Sequence, residues 1–227
     1  VMPRGPITQE EFDQLPVKEI AQKLRKEWTP QQLREKYKDD DFLSPRNAEG
    51  ASDLLKGSIS KRFQEFLDNA DLFFERGTLE QHYTYAFLRG IQEVIKADRG
   101  AVLKVNLDGL VNLFLAIKES GEAEPFDQEK RERDSFDAWL AGWDPVHSAL
   151  TDVIQELLTE KSGTLPIDFQ KYREQLFETL SYLLHYPDPT PEDEKIDTAG
   201  MKTKSPDSDD YLISDPFSMA INTVRGR

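Results

Sequence analysis

Three histidines, His82, His147 and His185, would matter most if folding brought them together, because imidazole both ligates metals and moves protons near neutral pH. None is followed by a second His or Cys at i+3 or i+4, so a zinc site is not expected and each reads as a lone core or surface histidine. Acidic pairs are abundant, as at Glu10-Glu11, Asp39-Asp40-Asp41 and Asp209-Asp210. General acid–base work needs carboxylates in a cleft with displaced pKa values, whereas adjacent acids on a polar helix face stay solvated. The Asp39 to Asp41 run could attract a hard cation, but no EF-hand loop spacing follows it. Ser58, Ser60, Ser120 and Ser148 lack the G-x-S-x-G elbow that exposes a nucleophile. Neither a G-x-x-x-x-G-K-[ST] nor a G-x-G-x-x-G pattern is present, which removes the usual backbone cradles for phosphate. No catalytic residue, metal or cofactor is therefore expected.

Binding is the remaining chemistry. Aromatic rings bury much area at low entropic cost and anchor partners well. Phe63, Phe66, Phe73, Phe74, Tyr83, Tyr85 and Phe87 are dense enough to read as core between helices. Trp28, Trp139 and Trp143 are the better candidates for partly exposed contact, and Trp139 and Trp143 stand i to i+4 beside a charged stretch. Arg225-Gly226-Arg227 could meet an anion, but an arginine paired with Asp215 or a neighbouring carboxylate, and a glycine allowing close helix packing, is the preferred reading. Asn222 is expected to satisfy backbone groups at a helix contact.

Composition narrows the partners. Twenty-nine Lys and Arg face 43 Asp and Glu, and a net charge of -14 repels a polyphosphate backbone, so nucleic acid is disfavoured. No stretch approaches the roughly 18 to 20 apolar residues a bilayer span requires. The absence of cysteine removes disulfides, thiolate zinc ligands and thiol nucleophiles, and a cytoplasmic location fits. The opening Val1-Met2-Pro3-Arg4-Gly5-Pro6 lacks the apolar core of a signal peptide and does not begin with methionine, so it reads as the boundary of a piece of a longer protein.

The elements that must position any site are helices. Thr29-Pro30, Ser44-Pro45, Asp144-Pro145 and Asp215-Pro216 each offer a capping oxygen before a proline, and Thr8 with Glu11 has capping-box spacing. Val17, Ile20, Ala21 and Leu24 share one face, Leu33 and Tyr37 begin the next stripe, and the two are expected to pair as a hairpin. Leu54, Leu55, Ile59, Phe63, Phe66 and Leu67 continue, with a break expected at Gly57-Ser58. A central core helix is predicted after Gly77, capped by Thr78 and carrying Leu79, Tyr83, Phe87, Ile91, Val94 and Ile95. Stripes over Leu107 to Leu115, Val146 to Leu158 and Phe169 to Leu184 complete the pattern, and no period-two run argues for a sheet.

Residues 122–134 are dense in charge, and the Pro-, Ser- and Asp-rich run that begins at Pro187 holds eight acids against Lys195, Lys202 and Lys204, so both read as solvated. The expected organisation is a helical-repeat domain over 1–186, an acidic loop over 187–214, and the start of a further, truncated helix over 215–227. The fold class expected is all-α, with antiparallel hairpins forming an irregular α-solenoid of HEAT or TPR type, or a bundle. The solenoid is preferred because the helices keep polar faces.

The closing run Asp215-Pro216-Phe217-Ser218-Met219-Ala220-Ile221-Asn222-Thr223-Val224-Arg225-Gly226-Arg227 resembles a motif in the helical-repeat regions of very large bacterial proteins, often with a predicted NTPase domain upstream and linked as a group to anti-phage defence. Glu27-Trp28-Thr29-Pro30, Asn47-Ala48-Glu49-Gly50, Arg89-Gly90 and Tyr186 to Glu192 agree in order. The resemblance implies a non-catalytic scaffold or sensor segment that contacts a protein partner or other domains of its parent chain, with the motif residues Asp215, Pro216, Ala220, Ile221, Asn222, Arg225 and Gly226 structural in role. It departs by ending at Arg227 and by its charged insertion. A structural spacer and a cryptic hydrolase or nuclease are the competing expectations; the hydrolase should show two or more carboxylates converging with a Lys or His in one pocket. The oligomeric state is not legible in the residues.

Overall fold

The Thr8 hydroxyl accepts the amide of Glu11 at 3.3 Å while the Glu11 carboxylate accepts the amide of Thr8 at 2.8 Å, so the capping box legible in the sequence opens helix α1 (Gln9–Gln14). The structure, a computed structural model, describes residues 2–41, 43–74, 79–102, 105–123, 140–160 and 165–184. Helix α2 (Val17–Lys26) buries Val17, Ile20, Ala21 and Leu24 as the periodicity requires. A second capping box, Thr29 with Gln32, opens α3 (Pro30–Lys36) with Pro30 at its first position. Helices α4 (Ala48–Lys61) and α5 (Phe63–Asp68) and a 3-10 turn (Ala70–Phe73) follow. After them come α6 (Gln81–Ala97), α7 (Arg99–Val102), α8 (Asp108–Ala123), α9 (Trp143–Leu158) and α10 (Phe169–Leu184). Among the described residues the extended pairing is one isolated parallel bridge, Arg4 to Arg46, and no helix is long and apolar enough to cross a membrane.

Four local expectations are corrected. Ser44-Pro45 does not open a helix: the Arg4 amide donates to the Pro45 carbonyl at 2.8 Å and holds that stretch extended, and Asn47 caps α4 by accepting from the Gly50 amide. The break expected at Gly57-Ser58 falls instead at Arg62, because Gly57 leaves room that the Gln9 amide of α1 fills and α4 runs through it. Helix α6 starts at Gln81 after Glu80, without a side-chain cap, and Thr78 lies outside the described residues. Helix α9 starts at Trp143 with Gly142 before it, so Asp144 and Pro145 sit within its first turn. The hairpin expected of α2 and α3 is also replaced: α2 leans on the 3-10 turn.

Cross-links along the helices give their directions. Glu49 of α4 meets His82 of α6, and Gly90 of α6 abuts Lys56 and Ile59, so these two helices run parallel. His82 accepts from the Ala141 amide just before α9, Arg89 donates to Asp152 at 2.5 Å and Arg99 to Glu156 at 2.7 Å, so α9 runs parallel to α6. Helices α4, α6 and α9 thus stand side by side in one row, with α6 in the middle. In a second row the 3-10 turn and α5 abut α8, and α8 runs parallel to α10 through Asp108–Lys171 at one end and Lys118–Glu178 at the other. Helix α10 is antiparallel to α9, since His147 near the start of α9 meets Tyr182 near the end of α10. One continuous apolar core from Phe12 to Leu183 joins the rows. Its centre is the aromatic group expected from the sequence: Phe73 and Phe87 rings lie 5.0 Å apart, with Phe66 6.1 Å from Phe87.

Candidate functional site

Helix α5 and the 3-10 turn are short, and the start of α8 packs on their ends. Gly109 allows that approach, because a Cβ there would overlap the Leu67 carbonyl oxygen. Beside this contact the surface opens into a cleft of about 680 Å³ lined by Leu67, Phe74, Leu113, Asp68, Asp71 and Asp108, with Asn106 and Asn112 and the small Ala70 and Ala116 between them. A second cleft of about 410 Å³ shares Asn106 and continues toward the start of α10, along Leu107, Leu165, Ile167 and Tyr172.

Asp108, Lys171 and Tyr172 form the border between the two clefts. The Lys171 ammonium and the Tyr172 hydroxyl both donate to Asp108 Oδ1, at 2.6 and 2.7 Å, and the ammonium also donates to the Tyr172 oxygen at 2.8 Å. The hydrogen bond from Lys171 holds the Asp108 carboxyl below the usual range, and the same bond pushes the Lys171 pKa up. Burial raises the Tyr172 phenol. Each shift locks the group in its resting state: carboxylate, ammonium and neutral phenol.

Asp40 and His147 are tied into the fold. Asp40 is held at about 2 chiefly by the Arg46 guanidinium, with Nε and Nη2 donating at 2.8 and 2.7 Å, so the Asp39 to Asp41 run spends its central carboxylate on an ion pair. Arg46 in turn lies over the Tyr37 ring, 4.0 Å from its centre. His147 is buried, bonded to the Tyr182 hydroxyl at 2.7 Å, and burial lowers its pKa to about 4. His82 and His147 stand on different helices with separate partners, and His185 lies outside the described residues. Among the described residues no three His, Cys, Asp or Glu side chains approach closely enough to hold a metal ion.

The tryptophans fare differently from their expectation. Trp28 is a correction: only 4% of it is exposed. It ends α2 against the core, stacked on Phe12 at 5.9 Å with the Lys23 ammonium over its ring, and its carbonyl accepts the Tyr83 hydroxyl. Trp143 is half-buried and stacks on His147 at 5.8 Å, so it is not placed with Trp28 in one surface. Trp139, the acidic run over 187–214 and the motif residues Asp215, Pro216, Ala220, Ile221, Asn222, Arg225 and Gly226 lie outside the described residues. The cleft residues Asp68, Asp71, Asn106, Asp108, Lys171 and Tyr172 were missed by sequence reasoning, since they lie on four separate elements. The one local signal is Asn106, whose side-chain oxygen accepts the Asp108 amide at 2.9 Å and marks the start of α8.

Comparison with known proteins finds no matching family model, no matching curated protein and no matching solved structure.

Proposed function

We propose that this chain is a non-catalytic, cytoplasmic helical scaffold whose second row of helices binds another protein or another domain of a parent chain. The observation that carries the reading is the pair of adjoining clefts with an apolar floor and an acidic border, where Lys171 and Asp108 are paired with each other. Such a surface offers area and charge for recognition. The competing hydrolase reading needs carboxylates converging with a Lys or His. Lys171 does approach Asp108, but as a tight ion pair at the border.

We further read the two parallel rows as an irregular α-solenoid, in which α4 with α5, α6 with α8, and α9 with α10 form successive helical pairs. Stacking of equivalent helices side by side is how repeat proteins extend a binding face, each pair burying its apolar side against the next. The resemblance of the Asp215 to Arg227 run makes a bacterial anti-phage protein the parent to try first. The test is capture of partners by the chain from bacterial lysate, with and without phage infection. One specific protein retained in stoichiometric yield supports the reading. Recovery of none, together with turnover of a phosphoester or peptide substrate that Lys171→Met abolishes, overturns it.

A further inference from the structure

The cleft beside α5 combines two features that select for the same kind of group. Its floor, Leu67, Phe74 and Leu113, is apolar, and the small Ala70 and Ala116 line it as well. Its border carries Asp68, Asp71 and Asp108, and among the described residues no Lys or Arg lines it. Two of the described cations nearby are engaged: Lys171 sits on Asp108, and Arg25 reaches the 3-10 turn from α2 to donate to the Leu72 carbonyl. Asp68 accepts from the neutral Gln64 amide at 2.6 Å and has no ion pair with another described residue. At the start of α8 the Asp108 amide donates to the Asn106 side-chain oxygen at 2.9 Å.

We propose that this cleft is the docking groove of the scaffold for a basic peptide segment of a partner protein, an aliphatic side chain filling the floor and a Lys or Arg meeting Asp68 and Asp71. The proposal rests on the interaction-scaffold reading and adds the site and the partner's chemistry. A lysine or arginine suits both features, because its methylene stem covers apolar surface while its head stays at the charged edge. A peptide is favoured over an isolated amine because the cleft continues past Asn106 into the second one, giving an extended path with Asp168 at its far end.

The test uses the full chain and a short fluorescein-labelled peptide of Leu, Lys and Ala carrying a benzophenone. Asp68→Asn with Asp71→Asn is expected to weaken binding about tenfold, equivalent to roughly 1.4 kcal/mol. Glu10→Gln with Asp39→Asn, the same charge change at exposed acids elsewhere, should leave affinity within about twofold, and cross-links should map to 67–74 and 106–116. Equal weakening by both pairs, or cross-links elsewhere, would mean general attraction to an acidic chain and overturn the groove. Ala116→Arg plugs the space and should abolish binding with thermal stability retained. A captured cellular partner that still binds the Ala116→Arg chain sinks the groove while the scaffold reading survives. Tighter probe binding after Arg225→Glu with Arg227→Glu would identify the chain's own end as the occupant, and a dimer that dissociates on Asp68→Asn with Asp71→Asn would identify a second copy; either overturns the partner assignment.

Discussion

Burial of His147 makes this fold acid-sensitive in a defined window. The imidazole lies where α8, α9 and α10 converge: Tyr182 donates to or accepts from its Nε2, Trp143 stacks on it, and Gly121 of α8 leaves room for the Tyr182 hydroxyl beside it. Burial holds the folded-state pKa at about 4, against an ordinary value of 6.5. Above pH 6.5 both folded and unfolded chains carry a neutral imidazole, and this residue adds no pH dependence. Between 6.5 and about 4 the unfolded chain takes a proton that the folded chain refuses, so stability falls as pH falls, at about 1.4 kcal/mol per pH step. The loss saturates near pH 4 at about 3 kcal/mol, a large share of a typical domain's stability. The assay is urea unfolding from pH 7.5 to 4 on wild type and His147→Gln, whose amide can still meet the Tyr182 hydroxyl but does not titrate. Carboxylates titrate alike in both chains, so the difference between the two stability curves isolates the imidazole. It should be flat above pH 6.5 and shift by about 3 kcal/mol in favour of the variant by pH 4. Parallel curves would refute the reasoning and place His147 in water.

Gly121→Ala should cost about 2 kcal/mol, because the added methyl meets the Tyr182 hydroxyl, and Tyr182→Phe should restore part of it; thermal melts of the four chains of that cycle measure the coupling. Phe87→Ala empties the centre of the aromatic core and should cost about 4 kcal/mol by urea unfolding. Asp152→Ala frees the Arg89 guanidinium that joins α6 to α9 and should cost about 2 kcal/mol, with hydrogen exchange rising at the α6–α9 contact. Thr29→Ala removes one capping box and should cost about 1 kcal/mol, with loss of protection confined to the first turn of α3.

What was legible in the sequence is what short-range chemistry decides. The capping box at Thr8, the cap at Thr29, the buried faces of α2 and α6 and the aromatic core all follow from short-range spacing. The errors arose where a distant segment overrides a local preference. Gly57 reads as a helix breaker until Gln9 fills its empty side, and Ser44-Pro45 reads as a helix start until the segment at Arg4 holds it extended. Trp28 reads as a candidate for partly exposed contact, yet Phe12 and Tyr83 enclose it from elsewhere in the chain. The cleft was illegible for the same reason: its acids come from α5, the 3-10 turn and α8, and nothing in the spacing of Asp68 and Asp108 signals that they face one space.

The origin of the cleft follows from the same long-range packing. In the first row, α4 gives way to α6 and α6 to α9, each of them long enough to cover its neighbour. In the second row the element opposite α4 is split at Asn69 into α5 and a 3-10 turn, each of about one or two turns. Phe66 and Phe73 spend these short elements' apolar side on the core against Phe87. Their other side then has too little length to cover all of α8, which packs on them at Gly109 and lines the cleft with Leu113 and Ala116. Covering that space with a longer α5 would need apolar residues where Asp68 and Asp71 stand. Replacing both acids by Leu should therefore raise thermal stability while removing affinity for a basic peptide. A loss of stability instead would show that the two carboxylates hold the fold rather than the groove.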